Sequence, residues 1–288
     1  MAAESESLVF SREFWIYFAV PNANDDSANP MIVFLHIPKT AGSTFQFILE
    51  NSFGVSACHT DHNKKPRFTQ DDFDFARMVF PGMKSLAGHN LVDPLSLTVP
   101  DPFHITFLRE PVARVFSNYQ DTVLIGGNTA SFEADLRRNE HLENFQVKVI
   151  AGGRDLDRAK RYLEQCRFVG LTEKFDLSLS VLGKLCPYRL NPNYKRRRTA
   201  PANDIKKSLE NDPRIVDMAR EHNRLDLELY DFARTEIFPK FCAQAGFSPE
   251  ATVASYDKYT TDDQWRYRLC HAYNLLFYRS ACKLRRRP

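Results

Sequence analysis

Lys39 stands in a short polar segment, Pro38-Lys39-Thr40-Ala41-Gly42-Ser43-Thr44, between an apolar run and an amphipathic one. An ammonium group and several hydroxyls beside a glycine suit one chemistry above others, the holding of a phosphate or a group shaped like one. The flanking elements support this. Ile32, Val33, Phe34 and Leu35 read as a buried parallel strand that Pro38 ends. Gly42, Ser43 and Thr44 open a helix with Phe45, Ile48, Leu49 and Phe53 on one face. A strand feeding a loop feeding a helix N-terminus leaves unpaired N–H groups pointing outward, and the helix dipole favours negative charge there. Lys39 adds a full positive charge, and Thr40, Ser43 and Thr44 add hydroxyl donors.

A second corner of the same kind follows. Phe103 to Leu108 reads as another strand, then come Arg109-Glu110-Pro111 and a helix. Pro111 suits the first helical position, and Val112, Val115, Phe116, Tyr119 and Val123 form its apolar stripe. Arg109 thus leaves a strand end, with Ser117 two helical turns on. A planar guanidinium donates two parallel hydrogen bonds to a phosphate; alone, an arginine here would be a surface ion pair. The first loop is not the Gly-x-x-x-x-Gly-Lys-Ser/Thr loop of nucleotide triphosphatases, because Lys39 precedes Gly42 and no glycine precedes Lys39 in the loop.

Pro38 to Thr44 after an apolar strand resembles the 5′-phosphosulfate loop of the sulfotransferases that use 3′-phosphoadenosine 5′-phosphosulfate. The likeness is to the carbohydrate branch, which includes heparan sulfate 2-O- and 6-O-sulfotransferases and bacterial relatives. Arg109-Glu110-Pro111 with Ser117 matches the family's 3′-phosphate element, and Phe168 to Phe175 and Asn223 to Phe238 resemble its later steps, so the likeness covers about residues 31–240. It implies an α/β fold, a P-loop-like parallel sheet with helices on both faces. It also implies donor contacts from Lys39, Thr40, Ala41, Gly42, Ser43, Thr44, Arg109 and Ser117, with Lys39 on the leaving oxygen. Gly88-His89 falls where the family keeps a histidine base; the second histidine of the 2-O enzymes is replaced by Ala87. A lone neutral imidazole can take an acceptor proton. Glu110 and Glu50 are the alternative bases. In the related enzymes a basic, threonine-containing loop folds over the nucleotide, which points to Arg198 and Thr199 within Lys195 to Pro201; a solvated charged loop or a nuclear-localisation patch is the other reading. No metal is implied, since a sulfuryl group carries less charge than a terminal phosphoryl group.

Composition bounds the rest. The 288 residues, 43% hydrophobic with 23 Phe and 11 Tyr, can build a sizeable core, and a net charge of +3 does not point to a nucleic-acid partner. We expect an extension over residues 1–30 and one sulfotransferase domain over 31–288. Residues 8–20 are interrupted by Arg12 and Glu13 and fall short of the ~20 residues a membrane span needs, so a cytoplasmic protein is expected. Six cysteines without close spacing predict reduced thiols. Residues 58–72 read as a polar surface loop, with His59 and His62 outside the chemistry and His36 packed near it. Thr172 reads as the cap of a helix to Cys186, and Pro213 to Ala245 as one long helix. Acceptor contacts are expected from loops 58–80, 90–101 and 120–140, with Asn144 and Gln146 as candidates. The acceptor itself, a carbohydrate or small metabolite, is not legible. A nucleotide kinase and a non-catalytic nucleotide-binding protein stay open as alternatives, the first lacking its glycine-rich loop.

Overall fold

Five strands, β1 (Met31–Leu35), β2 (Ala57–His59), β3 (Ser85–Gly88), β4 (Pro102–Leu108) and β5 (Phe168–Leu171), pair in parallel in the order β2-β3-β1-β4-β5. The computed structural model describes residues 29–80, 82–194, 204–258 and 265–285. Central β1 has no exposed surface from Ile32 to Leu35, which is why its sequence is a continuous apolar run and does not alternate. Around the sheet lie α1 (Gly42–Phe53), α2 (Gln70–Val79), α3 (Pro111–Leu124), α4 (Phe132–Arg138), α5 (Phe145–Ala151), α6 (Leu156–Gln165) and α7 (Phe175–Leu185). They are followed by α8 (Asp204–Glu210), α9 (Pro213–His222), α10 (Arg224–Phe232), α11 (Phe238–Gln244), α12 (Trp265–Tyr273) and α13 (Arg279–Arg285). This is the α/β architecture the sequence predicts.

The strand order fixes where a ligand can sit. From β1 the chain crosses to β2 on one side of the sheet, whereas from β4 it crosses to β5 on the other. The loops leaving β1 and β4 therefore diverge and open a crevice at the carboxyl ends of two adjacent strands. Aromatic packing sets the sheet beneath it: Phe107 meets Phe34, Phe45 and Phe168 edge-on or tilted, with ring centroids 5.1–6.3 Å apart. A Cβ on Gly170 would lie 2.4 Å from the Phe107 ring, so β5 carries glycine there.

Four expectations change. The stretch 58–72 is not only loop, since it contains the end of β2, a 3-10 turn over Thr60–Asn63 and the start of α2. Three strand residues are too few to show a period. The helix after β5 starts at Phe175, because the Thr172 hydroxyl donates to Leu108 O and a 3-10 turn, Thr172–Lys174, intervenes. The long helical run breaks at Asn223, whose amide donates to Leu142 O and Ala219 O and whose Oδ1 accepts from Asn144 N. Asn144 and Gln146, expected near the acceptor, are buried in this joint. The Asn144 side chain accepts from Leu225 N and Asp226 N, and Gln146 bonds both N and O of Arg109. The six cysteines are free thiols, five of them buried and Cys186 half-buried.

Candidate active site

The loop between β1 and α1 is held from behind, one carbonyl after another. Ile37 O accepts from the Thr40 hydroxyl at 2.8 Å, Pro38 O from Arg114 Nε at 3.3 Å, and Lys39 O from Arg109 Nη1 at 3.0 Å. Lys39 and Ala41 both lie in the left-handed region, φ 72° and 63°. Alternating handedness folds successive N–H groups toward one concavity, an anion nest. With its carbonyls engaged, this loop presents amides to the cleft beside the N-terminus of α1. Arg114 is fully buried, its guanidinium stacked 4.5 Å from the Phe145 ring centroid and also donating to His141 O. The Arg109–Lys39 bond ties the two corners together, so the fold itself joins the residues that the sequence left separate.

A cleft of about 520 Å³ opens there, lined by Lys39, Ala41, Gly42, Ser43, Thr44, Arg109, Ser117 and His89 among others. Thr40 is absent from this lining because its side chain is buried on the Ile37 carbonyl. Lys39 Nζ pairs with Asp121 at 2.7 Å across the cleft. Glu110, an alternative base, caps α3 by accepting from Val112 N and Ala113 N, which leaves its carboxylate engaged. Arg198 and Thr199 lie outside the described residues.

On the other side of β1 the strand ends deliver imidazoles. The register pairs Leu35 with Gly88, so the next residues, His36 and His89, stand side by side with ring centroids 3.9 Å apart. A Cβ on Gly42 would fall 2.0 Å from His36 Cδ2, and one on Gly88 the same distance from Thr60 Oγ1. Both glycines serve close approach. Asp61, just past β2, accepts from His89 N at 2.9 Å and contacts His89 Nδ1 and His59 Nε2 with its other oxygen. A carboxylate can only accept, so His89 Nδ1 is the donor in its contact with Asp61. A bonded path continues from His59 through Glu50 at 3.4 Å to Gln46 at 2.9 Å and His36 at 3.1 Å, closing on His89 by ring contact.

The electrostatics follow from this ring of contacts. Burial opposes charge on His59, but hydrogen bonds to Asp61 and Glu50 outweigh it and raise its pKa to about 9. Burial likewise works against the Asp61 carboxylate, yet the bonds from His59 and His89 hold it far below the usual range. His36, fully enclosed, is pushed well below the ordinary histidine value, by burial first and by His89 second. His59, Asp61 and Glu50 thus belong to the site, against the expectation for His59. For His59 and Asp61 the sequence offers only a density of titratable groups in His59-Thr60-Asp61-His62, which reads equally as a polar surface loop. Among the described residues no group of three or more His, Cys, Asp and Glu is arranged to hold a metal ion, and no helix is long and apolar enough to cross a membrane.

Comparison with known proteins agrees with this geometry. The heparan sulfate 2-O-sulfotransferase hst-2 of Caenorhabditis elegans is 24% identical over 162 residues, 52% of this chain and 49% of the relative, so the chain spans about half the length of that relative. The model of the sulfotransferase family matches residues 26–167, a span that includes β1 to β4, both corners and His89. That match spans just under half of the chain, so over residues 26–167 the chain is similar to the sulfotransferase family.

Proposed function

We propose that the protein transfers a sulfuryl group from 3′-phosphoadenosine 5′-phosphosulfate to a hydroxyl of a carbohydrate or small metabolite. One observation carries the reading: Lys39 and Arg109, from corners 70 residues apart in sequence, line a single cleft with His89 on its wall. The two cations suit a donor with anionic groups at both ends, and the relative's name supports a carbohydrate acceptor.

Each residue then has a task. The amides of Ala41 to Thr44 and the Ser43 and Thr44 hydroxyls hold the 5′-phosphosulfate at the helix N-terminus. Arg109 and Ser117 take the 3′-phosphate. His89 Nε2 accepts the acceptor's proton as that oxygen forms a bond to sulfur. The bond from sulfur to the 5′-phosphate oxygen breaks in line, its electron pair leaves with that oxygen, and Lys39 stabilises the charge developing there. Asp61 stabilises the imidazolium. A sulfate ester, adenosine 3′,5′-bisphosphate and one proton, released from His89 to solvent, complete the balance. Lys39 enters this scheme paired to Asp121, so donor binding must draw its ammonium away from that carboxylate.

Calorimetry tests the reading against a nucleotide kinase. Adenosine 3′,5′-bisphosphate binds without magnesium and adenosine triphosphate binds poorly; the reverse preference overturns the proposal.

A further inference from the structure

One carboxylate serves two imidazoles. Asp61 Oδ1 accepts from His89 N at 2.9 Å and from Asn90 N at 3.2 Å, whereas Oδ2 meets both His89 Nδ1 and His59 Nε2. The other nitrogen of His59 faces Glu50 Oε1 at 3.4 Å, and Gln46 donates to that same oxygen at 2.9 Å. A carboxylate only accepts, so a ring set between two of them donates from both nitrogens and is an imidazolium.

The neighbours leave that charge on His59. Glu50 reaches it from α1, Asp61 and His62 from the turn after β2, and His36 and His89 stand past the ends of β1 and β3. His62 has its ring centroid 4.7 Å from that of His59, and its pKa is pushed down to about 4. Burial is the first cause and the His59 charge the second; His271 and Lys64 act in the same sense and Glu50 against them. His36 is kept neutral by burial first and by His89 second. The cluster borders a second cleft, of about 460 Å³, which shares His36, Ser43 and His89 with the first and has Glu50, His59, His62 and His271 on its wall. That wall includes α12, which lies beyond the residues that the family model matches. Buried Asn274, just past α12, fixes the backbone under the His59 ring. Its Oδ1 accepts from His59 N at 3.0 Å and its amide donates to Ala57 O at 3.1 Å.

A general base must give up its proton as well as take it. A carboxylate devoted to one imidazole holds that ring in its charged form. A carboxylate shared with a standing cation holds it less, because two positive rings repel across one oxygen. Building on the transfer reading above, we propose that His59 is a positioning residue for His89: as a cation between Glu50 and Asp61, it fixes the Asp61 carboxylate against His89 Nδ1 and takes a share of its charge, so that His89 releases the acceptor's proton after each transfer.

The test is a pH titration of the full chain carrying nitrogen-15 in its histidine rings, with the His89 signals identified by their loss in His89→Ala. In the parent one imidazolium persists at pH 8, and it is missing from His59→Gln. In His59→Gln the His89 ring takes up its proton about one pH unit higher than in the parent, about tenfold in proton affinity. His59→Lys keeps the charge and returns His89 to the parent's titration, which a merely structural role for His59 would not do. An unmoved His89 titration in His59→Gln overturns the proposal, and so does an equal shift in His59→Lys. Should neither variant fold, the absence of an imidazolium at pH 8 in the parent overturns it. Failure of adenosine 3′,5′-bisphosphate to bind the parent would remove the donor reading and leave this titration as it stands, so the two fail separately.

Discussion

On the Lys39 side of His89 the cleft is built around a contiguous loop, held from behind where the carbonyls of Ile37, Pro38 and Lys39 accept from Thr40, Arg114 and Arg109. On the other side the wall is side chains, drawn from α1, from the turn after β2, from the turn after β3 and from α12. A site made of contiguous backbone is stiff, and its specificity is for a charge and a shape. A site made of side chains from distant segments can change its ligand by changing single residues while the sheet stays as it is. His89 lines both clefts, so on the proposed reading the constant half of the reaction and the variable half meet at one imidazole.

The largest effects are expected at Lys39 and His89. Lys39→Ala and His89→Ala each cut turnover by about a hundredfold or more, the scale for removing one preorganised catalytic donor. They should differ in binding, since Lys39→Ala also weakens adenosine 3′,5′-bisphosphate whereas His89→Ala leaves it unchanged. Labelled-donor assays and calorimetry on purified protein check both. Near-normal turnover in Lys39→Ala would remove it from the leaving oxygen.

Asp61→Asn probes the supporting layer and costs less, between about tenfold and a hundredfold in kcat. An amide can donate to His89 Nδ1 and so select the tautomer with the proton on Nε2, where it blocks attack. The expected signature is a fall in kcat with adenosine 3′,5′-bisphosphate affinity kept. If affinity for this nucleotide falls in step with kcat, Asp61 supports the loop and not the base.

These two expectations also mark what was legible in the sequence. Lys39, Gly42 and Arg109 could be found because each sits next to the strand or helix that positions it, and hydrophobic periodicity reveals such elements. Asp61 could not, because β2 has three residues and its polar neighbours mimic a surface loop. Arg114 was hidden for the opposite reason: it is a charged side chain on a helix face that is fully buried, bonded to the carbonyls of Pro38 and His141, which no local pattern names. The role of α12 depends on a contact between Asn274 and β2 across 215 residues of sequence, and no spacing rule reaches that far.

The side-chain half should also respond to pH in a way the backbone half cannot. His59 has a folded pKa of about 9 against 6.5 unfolded, so its stabilising contribution is complete below 6.5 and is lost as pH rises through about 9. For Asp61, held below its ordinary 3.8, the contribution is present above that value and is lost on acidification below it. Denaturant midpoints followed across pH should therefore fall on the alkaline side by at most about 3 kcal/mol of stability, the ceiling set by that shift. His59→Gln flattens this limb. If the alkaline fall persists in that variant, some other group carries it.

The smallest effect is expected where the backbone half borrows a side chain. Lys39 and Asp121 form an ion pair at 2.7 Å, with 16% and 27% of their side chains exposed, so the pair contributes about 1 kcal/mol or less to stability. Its larger consequence is competition, because a donor phosphosulfate must displace Asp121 from the Lys39 ammonium. Asp121→Asn removes that rival charge and keeps the shape. Adenosine 3′,5′-bisphosphate should then bind a few-fold more tightly while the denaturant midpoint scarcely moves, and added salt should narrow the difference between variant and parent. Tighter binding with unchanged kcat would mean that Asp121 only holds the empty loop in order. If binding weakens instead, the carboxylate orients Lys39 for the donor, and the ion pair belongs to the working site.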